Sequence, residues 1–234
     1  MKLGIMQPYF FPYLGYWQLM NAVDKYVVYD DVNFIKGGRI NRNAILLQGQ
    51  PHNINLILQG ASPNKHINQI NVNTSPNTKR KLLCTIEQAY KKAPYFNDVM
   101  PLLNEIILQG EENLAKYLFN SFLIIGSYLG ITTEIVLSSS IDKNNDLKKE
   151  EKIYHICDIF KADEYYNSIN GRQLYNAEEF NKRGIILNFL VMKNIEYMQF
   201  NNDFVPNLSI IDVMMFNSRE QCRELLNQYE LIKG

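Results

Sequence analysis

Two adjacent acids and three nearby cations are the residues of this chain whose types and spacing most suggest chemistry. Asp30 and Asp31 follow an apolar run, and three cations flank a pair of glycines shortly afterwards: Lys36, Arg39 and Arg42. Side chains alternate along a strand, so only one of the two acids can face the site. That acid is predicted to act catalytically, by binding a hydroxyl or by removing a proton from an amine. The cations are predicted to bind phosphate or carboxylate, with a solvated hairpin turn as the alternative.

An aromatic loop precedes these charges and offers flat surfaces to a ligand. Residues 8–16 read Pro-Tyr-Phe-Phe-Pro-Tyr-Leu-Gly-Tyr. The prolines fix the backbone, and Gly15 permits a close approach where a helix begins. Three side chains are predicted to wall a planar ligand: Tyr9, Phe10 and Tyr13. The alternative is that these rings only cover the sheet edge.

Polar side chains near the ends of predicted elements complete the expected site. Gln7 ends a strand and can both donate and accept hydrogen bonds, although it is equally suited to bond a loop amide. Ser209 is a natural N-cap for the last predicted helix. The other polar side chains assigned to substrate binding are Asn43, Asn167, Ser168 and Asp212.

The elements that must position these residues begin with a βαβ unit. Strands are predicted at residues 2–7 and 25–30, with a helix over about 15–23 between them, which implies a parallel pair. Residues 42–47 and 52–58 are predicted to form a hairpin that extends or caps the sheet edge.

The rest of the chain predicts a helical insertion followed by a return to βα alternation. Three helices are expected over about 76–130, where apolar residues recur every three or four positions. Further strands are expected at 133–137, 164–168 and 185–191, and further helices at 148–160, 176–183 and 210–229. The predicted fold is α/β, a Rossmann-like, mostly parallel sheet of about five strands in a single domain over 1–234.

Composition excludes several function classes. Lys plus Arg and Asp plus Glu both number 24, so no overall field favours nucleic acid. Three widely spaced cysteines argue against a disulfide framework and for the cytoplasm.

No cluster has metal-ligand spacing, so no metal site is predicted. The most apolar stretch is too short and polar to span a membrane, and no signal peptide is expected.

The chain resembles the WbqC-like protein family. The resemblance is carried by Met6 to Tyr16, by Tyr29-Asp30-Asp31-Val32 and by four shorter matches in the same order along the chain: 41–43, 167–171, 197–199 and 208–212. It implies a role in surface-polysaccharide biosynthesis of the O-antigen type, in which members have been proposed to attach glycine or another acyl group to an amino sugar.

A more distant similarity links the strand, aromatic loop and helix to the phosphate-handling loop of HIGH-type nucleotidylyltransferases and adenylate-forming ligases. Tyr13 and Tyr16 stand where those enzymes carry histidines.

Three functional hypotheses follow from these observations. The first is an acyl or aminoacyl transferase acting on a nucleotide-linked amino sugar, with an acyl thioester as a possible donor. The second is a nucleotidylyltransferase or adenylate-forming ligase, which would use ATP with Mg²⁺. The third is a non-catalytic glycan- or nucleotide-binding protein. The sequence does not define how many chains assemble.

Overall fold

The computed structural model describes residues 1–200 and 203–234. Within these ranges, six strands form a central sheet in the order β10-β9-β8-β1-β2-β7. Their bounds are β1 Lys2–Met6, β2 Lys25–Val28, β7 Glu134–Leu137, β8 Glu164–Ser168, β9 Ile186–Met192 and β10 Tyr229–Lys233. Neighbours from β7 through β9 run parallel, and β10 pairs antiparallel with β9. The predicted mostly parallel α/β fold with about five parallel strands is therefore confirmed.

Two small sheets, eight α-helices and three 3-10 helices complete the described chain. The 3-10 helices are Ile67–Gln69, Ser138–Ser140 and Ile169–Leu174. The strands are β3 Arg42–Leu47, β4 Gln50–Asn55, β5 Leu58–Gln59 and β6 Asn71–Val72. The helices are α1 Leu14–Asn21, α2 Pro76–Tyr90, α3 Phe96–Leu108, α4 Leu114–Leu129, α5 Glu150–Ile159, α6 Ala177–Lys182, α7 Ile210–Phe216 and α8 Arg219–Leu225. The predicted helical insertion is present as α2, α3 and α4.

The predicted hairpin forms, but it does not extend the central sheet. Strands β3 and β4 pair only with each other, and β3 packs against α2 and α7. The second strand ends at Asn55, and Leu58–Gln59 pairs instead with β6. Because helices cover the hairpin, its apolar face is buried against them rather than against the sheet.

The last predicted helix is divided in two, and an unpredicted strand follows it. α7 ends at Phe216, and Ser218 starts α8 by accepting a hydrogen bond from the backbone N–H of Gln221, whose side chain accepts from the N–H of Ser218. This reciprocal cap fixes a new helix start, so one continuous helix over 210–229 was wrong. The chain then returns as β10 on the sheet edge.

Apolar layers cover both faces of the sheet. One contains α1, α2, α3, α4, α7 and α8, and the other contains α5 and α6. The connections that follow β1 and β8 therefore lie on opposite faces and lead in opposite directions along the sheet. A ligand crevice is expected where two such connections diverge, at the carboxyl ends of β1 and β8.

No described helix combines the length and the apolar character that crossing a membrane requires.

Candidate functional site

A cleft with two lobes lies at the carboxyl ends of β1 and β8. The first lobe has a volume of about 390 Å³ and the second about 350 Å³. They share four residues, two following β1 or ending it and two at the end of β8: Met6, Tyr9, Ser168 and Asn170. The cleft therefore occupies the switch point at which the sheet topology predicts a ligand site.

The first lobe is polar. Its remaining walls are Pro12, Tyr13, Arg39, Asn43 and Asn207. Arg39 comes from the loop between β2 and β3, so this loop brings one cation to the strand end.

The second lobe is aromatic and apolar. Tyr29, at the end of β2, and Tyr175, after β8, contribute rings, while Gln7 and Asn167 contribute amides. Ile35 and Leu174 are 52% and 63% exposed although both line this lobe. Exposed apolar side chains on two separate segments are suited to pack against a ring.

Several polar side chains that line the cleft have no hydrogen-bond partner within the described chain. They are the hydroxyls of Tyr9, Tyr13 and Ser168 and the side-chain amides of Gln7, Asn170 and Asn207. Such groups can each donate and accept, as the hydroxyls of a sugar require. The cleft therefore has polar groups free for a hydroxyl-rich ligand.

The charge of the cleft is positive. Arg39 is the charged side chain among the described lining residues, and no carboxylate is present there. Its Nη1 lies 3.4 Å from Asn43 Oδ1, a long contact that leaves most of the guanidinium free. An anionic group such as phosphate is the complementary partner.

The tyrosines of the cleft remain protonated near neutral pH. Burial raises the pKa of Tyr9, with Arg39 opposing the shift, and burial raises the pKa of Tyr13 with Tyr9 adding to it. Burial and the nearby Asp31 carboxylate raise the pKa of Tyr29. These hydroxyls therefore keep their protons and can donate hydrogen bonds to a ligand.

Asn43 holds the aromatic loop in place. Its Nδ2 donates to the carbonyl oxygens of Phe10 at 3.1 Å and Phe11 at 2.7 Å. Phe11 has φ 43°, an unfavourable left-handed conformation for a bulky residue. Asn43 lines the first lobe, but its Nδ2 donors are already bonded to the aromatic loop. Its main role is therefore to position Tyr9 and Tyr13, which lie on that loop.

Gly15 sets the position of Tyr13. A Cβ at residue 15 would lie 2.5 Å from Tyr13 Cε2, so the ring sits on a surface that glycine alone leaves open. Gly15 is buried in the first turn of α1 and does not line the cleft. The close approach that Gly15 was predicted to permit is therefore made by the Tyr13 side chain.

Like Gly15, three further predicted binding residues lie outside the cleft lining. Phe10 is fully buried against Phe11, with ring centroids 4.5 Å apart, so it belongs to the core. Lys36 is exposed on the loop. Arg42 donates to the carbonyl oxygens of Gly37 and Gly38, the latter at 3.1 Å, and so stabilises the loop itself. Of the three predicted cations, the structure brings Arg39 to the cleft.

Asp30 and Asp31 also lie outside the cleft lining, and both carboxylates have partners. Asp30 is fully buried and accepts from Ser139 Oγ at 2.6 Å and Ser139 N at 2.9 Å. Asp31 Oδ2 lies 2.9 Å from Lys143 Nζ and 2.8 Å from Lys152 Nζ. The predicted strand over 25–30 was too long: β2 ends at Val28, so strand alternation does not apply to the two acids. Each carboxylate joins a neighbouring element to the end of β2.

These environments shift the two carboxyl pKa values in opposite directions. Burial raises the pKa of Asp30, with the hydrogen bonds from Ser139 opposing the shift. Burial would also raise the pKa of Asp31, but Lys152 and Lys143 lower it below its usual value. Two ammonium groups already occupy the position that a divalent cation would need beside Asp31, so these residues do not fit Mg²⁺.

Ser209 and Asp212 are buried at the start of α7 and hold that helix in place. Ser209 is fully buried and caps α7 through a 3.2 Å hydrogen bond from Ile211 N, as its sequence position predicts. Asp212 is also fully buried; its carboxylate accepts from Tyr90 Oη, Tyr197 Oη and Gln199 Nε2 at 2.6–2.7 Å. Burial raises the pKa of Asp212 against these bonds. Neither residue lines the cleft.

Asn167 and Ser168 both line the cleft, but they differ in the hydrogen bonds that their side chains make. Asn167 Nδ2 donates to Tyr165 Oη and Tyr175 Oη, and its Oδ1 accepts from the N–H of Ser168. Asn167 therefore holds Tyr175 in the second lobe. Ser168 lies where the lobes meet and keeps its hydroxyl free within the described chain.

Sequence reasoning missed four lining residues that have clear signals in retrospect. Tyr29 stands just before the two acids and Tyr175 four residues after Gly171, and an aromatic ring near the end of a predicted strand can wall a ligand. Asn170 follows β8 directly, and Asn207 has φ 59°, a conformation that Asn tolerates well. In the described chain, no group of three or more His, Cys, Asp or Glu is placed to hold a metal ion.

Fold and site together define an α/β protein with a positively charged cleft at the switch point of a mostly parallel sheet. The chain belongs to the WbqC-like protein family, whose sequence profile matches residues 7–224. It is also 28% identical over 221 residues to a Mycobacterium tuberculosis (strain H37Rv) protein with the name Uncharacterized protein Rv1507c; the match covers 92% of this chain and 93% of that one. No solved structure matches the chain significantly.

Proposed function

We propose that this protein is an enzyme of surface-polysaccharide biosynthesis that transfers an acyl or aminoacyl group to a nucleotide-linked amino sugar. The class of reaction comes from the family resemblance. The observation that supports the substrate is the cleft: its charged lining residue is a cation, its walls are tyrosines, and six uncommitted polar side chains face it.

The two lobes divide the substrate between them. Arg39 binds the diphosphate in the first lobe, where the guanidinium can form charge-assisted hydrogen bonds. Tyr29 and Tyr175 pack against the base in the second lobe, with Gln7 beside them for its polar edge. Ser168 and Asn170 lie where the lobes meet and bind the ribose hydroxyls, because the ribose joins the base to the diphosphate.

Proximity is the main catalytic contribution that this lining can supply. Amide formation needs a neutral amine next to an activated carbonyl carbon, and fixing the two in contact removes a large entropic barrier. The described cleft offers no carboxylate or histidine base, so the amine enters in its neutral form, with the proton lost to solvent. Tyr13 can donate to the carbonyl oxygen as negative charge develops there.

The proposal is tested first by the affinity for a uridine-diphosphate amino sugar, measured by isothermal titration calorimetry. Arg39→Ala should weaken binding about tenfold or more, because a hydrogen bond to a charged group contributes about 1.5–3 kcal/mol. Lys36→Ala is the matched control: it removes the same charge from the same loop, but outside the cleft lining, and should leave the dissociation constant within about twofold.

Equal affinities for the wild type and Arg39→Ala would refute the assignment of the diphosphate to the first lobe. Arg42→Ala is a less direct test, since loss of its bonds to Gly37 and Gly38 would loosen the loop that carries Arg39.

A non-catalytic nucleotide-sugar-binding protein is the second candidate, favoured by the lack of a base in the described cleft. Binding without turnover of any acyl donor would support it. The adenylating alternative has less support: Tyr16, where HIGH-type enzymes carry a histidine, is buried and donates its hydroxyl to the carbonyl oxygen of Gln7 at 3.0 Å.

A further inference from the structure

A side pocket of about 250 Å³ opens beside the first lobe of the cleft. It shares Tyr13 and Asn207 with that lobe, so these two residues form the partition between the two spaces. The pocket lies between the end of β9, the start of α1, α7, and residues 193–197 and 204–208. Its lining is mainly apolar: Leu14, Met192, Ile195, Phe204, Leu208 and Val213.

The partition is both fixed and polar. Gly15 seats the Tyr13 ring, and the Tyr13 hydroxyl has no partner in the described chain. Asn207 adds an uncommitted amide on the other side of the boundary. A carbonyl group placed at this boundary would meet two donors, while the chain attached to it would lie in apolar surroundings.

The rim of the pocket carries a cation. Lys193 and Asn194 are exposed and line the pocket, and its described lining contains no acid. An acyl donor whose carrier group is anionic could therefore bind Lys193 at the mouth of the pocket. The volume, on the order of eight water molecules, suits a short chain rather than a long one.

We propose that the side pocket binds the acyl group of a short-chain acyl thioester, with its carbonyl at the Tyr13–Asn207 partition and its phosphate-bearing carrier at Lys193. This inference rests on the proposed function and adds the identity of the donor to it. The apolar walls select the acyl group, and the partition presents its carbonyl carbon to the cleft where the amino sugar binds.

The reaction balances without a further co-reactant. The amine lone pair attacks the thioester carbonyl carbon, the C–N bond forms and the C–S bond breaks. The sulfur leaves as a thiolate with the bonding electron pair, and the proton lost by the nitrogen restores the thiol. Amide and free thiol are the products.

The test is titration calorimetry with S-acetyl- and S-butyryl-phosphopantetheine. The wild type should bind the butyryl compound at least fivefold more tightly, because more apolar surface is buried. Met192→Trp fills the pocket and should weaken butyryl binding at least tenfold. Met198→Trp is the matched control: Met198 lies six residues further along the chain, is 79% exposed and is outside the pocket lining, so the variant should change nothing.

A second variant keeps the inference testable if Met192→Trp does not fold. Phe204→Ala enlarges the pocket and should shift the preference from the butyryl to the hexanoyl thioester. Absence of thioester binding, or a butyryl affinity that a folded Met192→Trp or Phe204→Ala leaves unchanged, would overturn the inference.

Failure of this inference is distinguishable from failure of the proposed function. Nucleotide-sugar affinity should stay within about twofold of the wild type in all three variants, because they leave Arg39 intact. If thioesters bind as expected while Arg39→Ala has no effect on the nucleotide sugar, the assignment of the acyl pocket is supported and the substrate assignment fails.

Discussion

At the scale of single residues, the cleft depends on side chains whose positions are set by close neighbours. Tyr13 stands between the cleft and the side pocket because Gly15 leaves room for its ring. Tyr9 and Tyr13 share a loop whose strained turn at Phe11 is held by Asn43. The residues that support the site therefore matter to it as much as those that line it.

The role of Gly15 can be tested against helix propensity. Glycine to alanine in a helix normally stabilises a protein by about 0.5–1 kcal/mol. Gly15→Ala should instead lower the free energy of unfolding, because its Cβ would lie 2.5 Å from the Tyr13 ring. Thermal and urea unfolding measure the difference.

Gly126→Ala is the matched control within α4. The Cβ it adds would meet Ile131 Cβ at 3.9 Å, an ordinary contact, so this variant should be stabilised. If Gly15→Ala is stabilised to the same extent, the ring does not rest on Gly15. Recovery of stability in the double variant Tyr13→Ala/Gly15→Ala would identify the ring as the cause.

At the scale of elements, buried polar groups join the ends of strands and helices around the cleft. Asp212 connects α7 to α2 and to the segment after β9. Asp31 connects the end of β2 to α5 through Lys152 and to the loop after β7 through Lys143. The acids singled out for chemistry in the sequence instead fix the relative positions of elements.

Asp31→Asn tests that structural role. It would leave two buried ammonium groups without their carboxylate, which should cost about 3–5 kcal/mol at neutral pH. The lowered pKa of Asp31 means that its contribution is present above the unfolded value, near 4, and is lost as pH falls through the folded pKa. The difference from the wild type should therefore shrink below about pH 4, as measured by urea unfolding at several pH values.

Asp24→Asn is the control at the other end of β2. Asp24 is exposed and accepts one hydrogen bond, from the N–H of Lys2. Its replacement should cost far less than that of Asp31. A loss below about 1 kcal/mol for Asp31→Asn would show that the two lysines find other partners.

At the scale of the whole molecule, charge is balanced overall but not within the cleft. Lys plus Arg and Asp plus Glu each number 24 in the chain, whereas the described residues of the cleft lining include Arg39 and no acid. The proposed anionic ligand would therefore be attracted by a local charge and not by a global field.

The salt dependence of binding should reflect this local charge. Affinity for uridine diphosphate should fall less than tenfold between about 50 and 200 mM salt, in contrast to the losses of about 10³-fold or more for proteins that make many phosphate contacts. Arg39→Ala should flatten the dependence further. Titration calorimetry at increasing NaCl measures it, and a steep decrease would point instead to an extended cationic surface.

The sequence by itself determined the parallel α/β fold, the helical insertion and the family. Apolar strands alternating with helices leave few topologies, and the aromatic string after β1 is a local pattern. The prediction that ligand chemistry belongs at the end of β1 was likewise local, and Gln7, Tyr9, Tyr13 and Arg39 do meet there.

Tertiary structure alone decided which of the predicted residues face the cleft. Asp31 lies beside Lys143 and Lys152, more than a hundred residues away in the sequence, and Phe10 turns into the core. The edge strand β10 and the side pocket likewise arise from contacts between distant segments. A side chain's partners in space set its charge and exposure, and local sequence does not specify those partners.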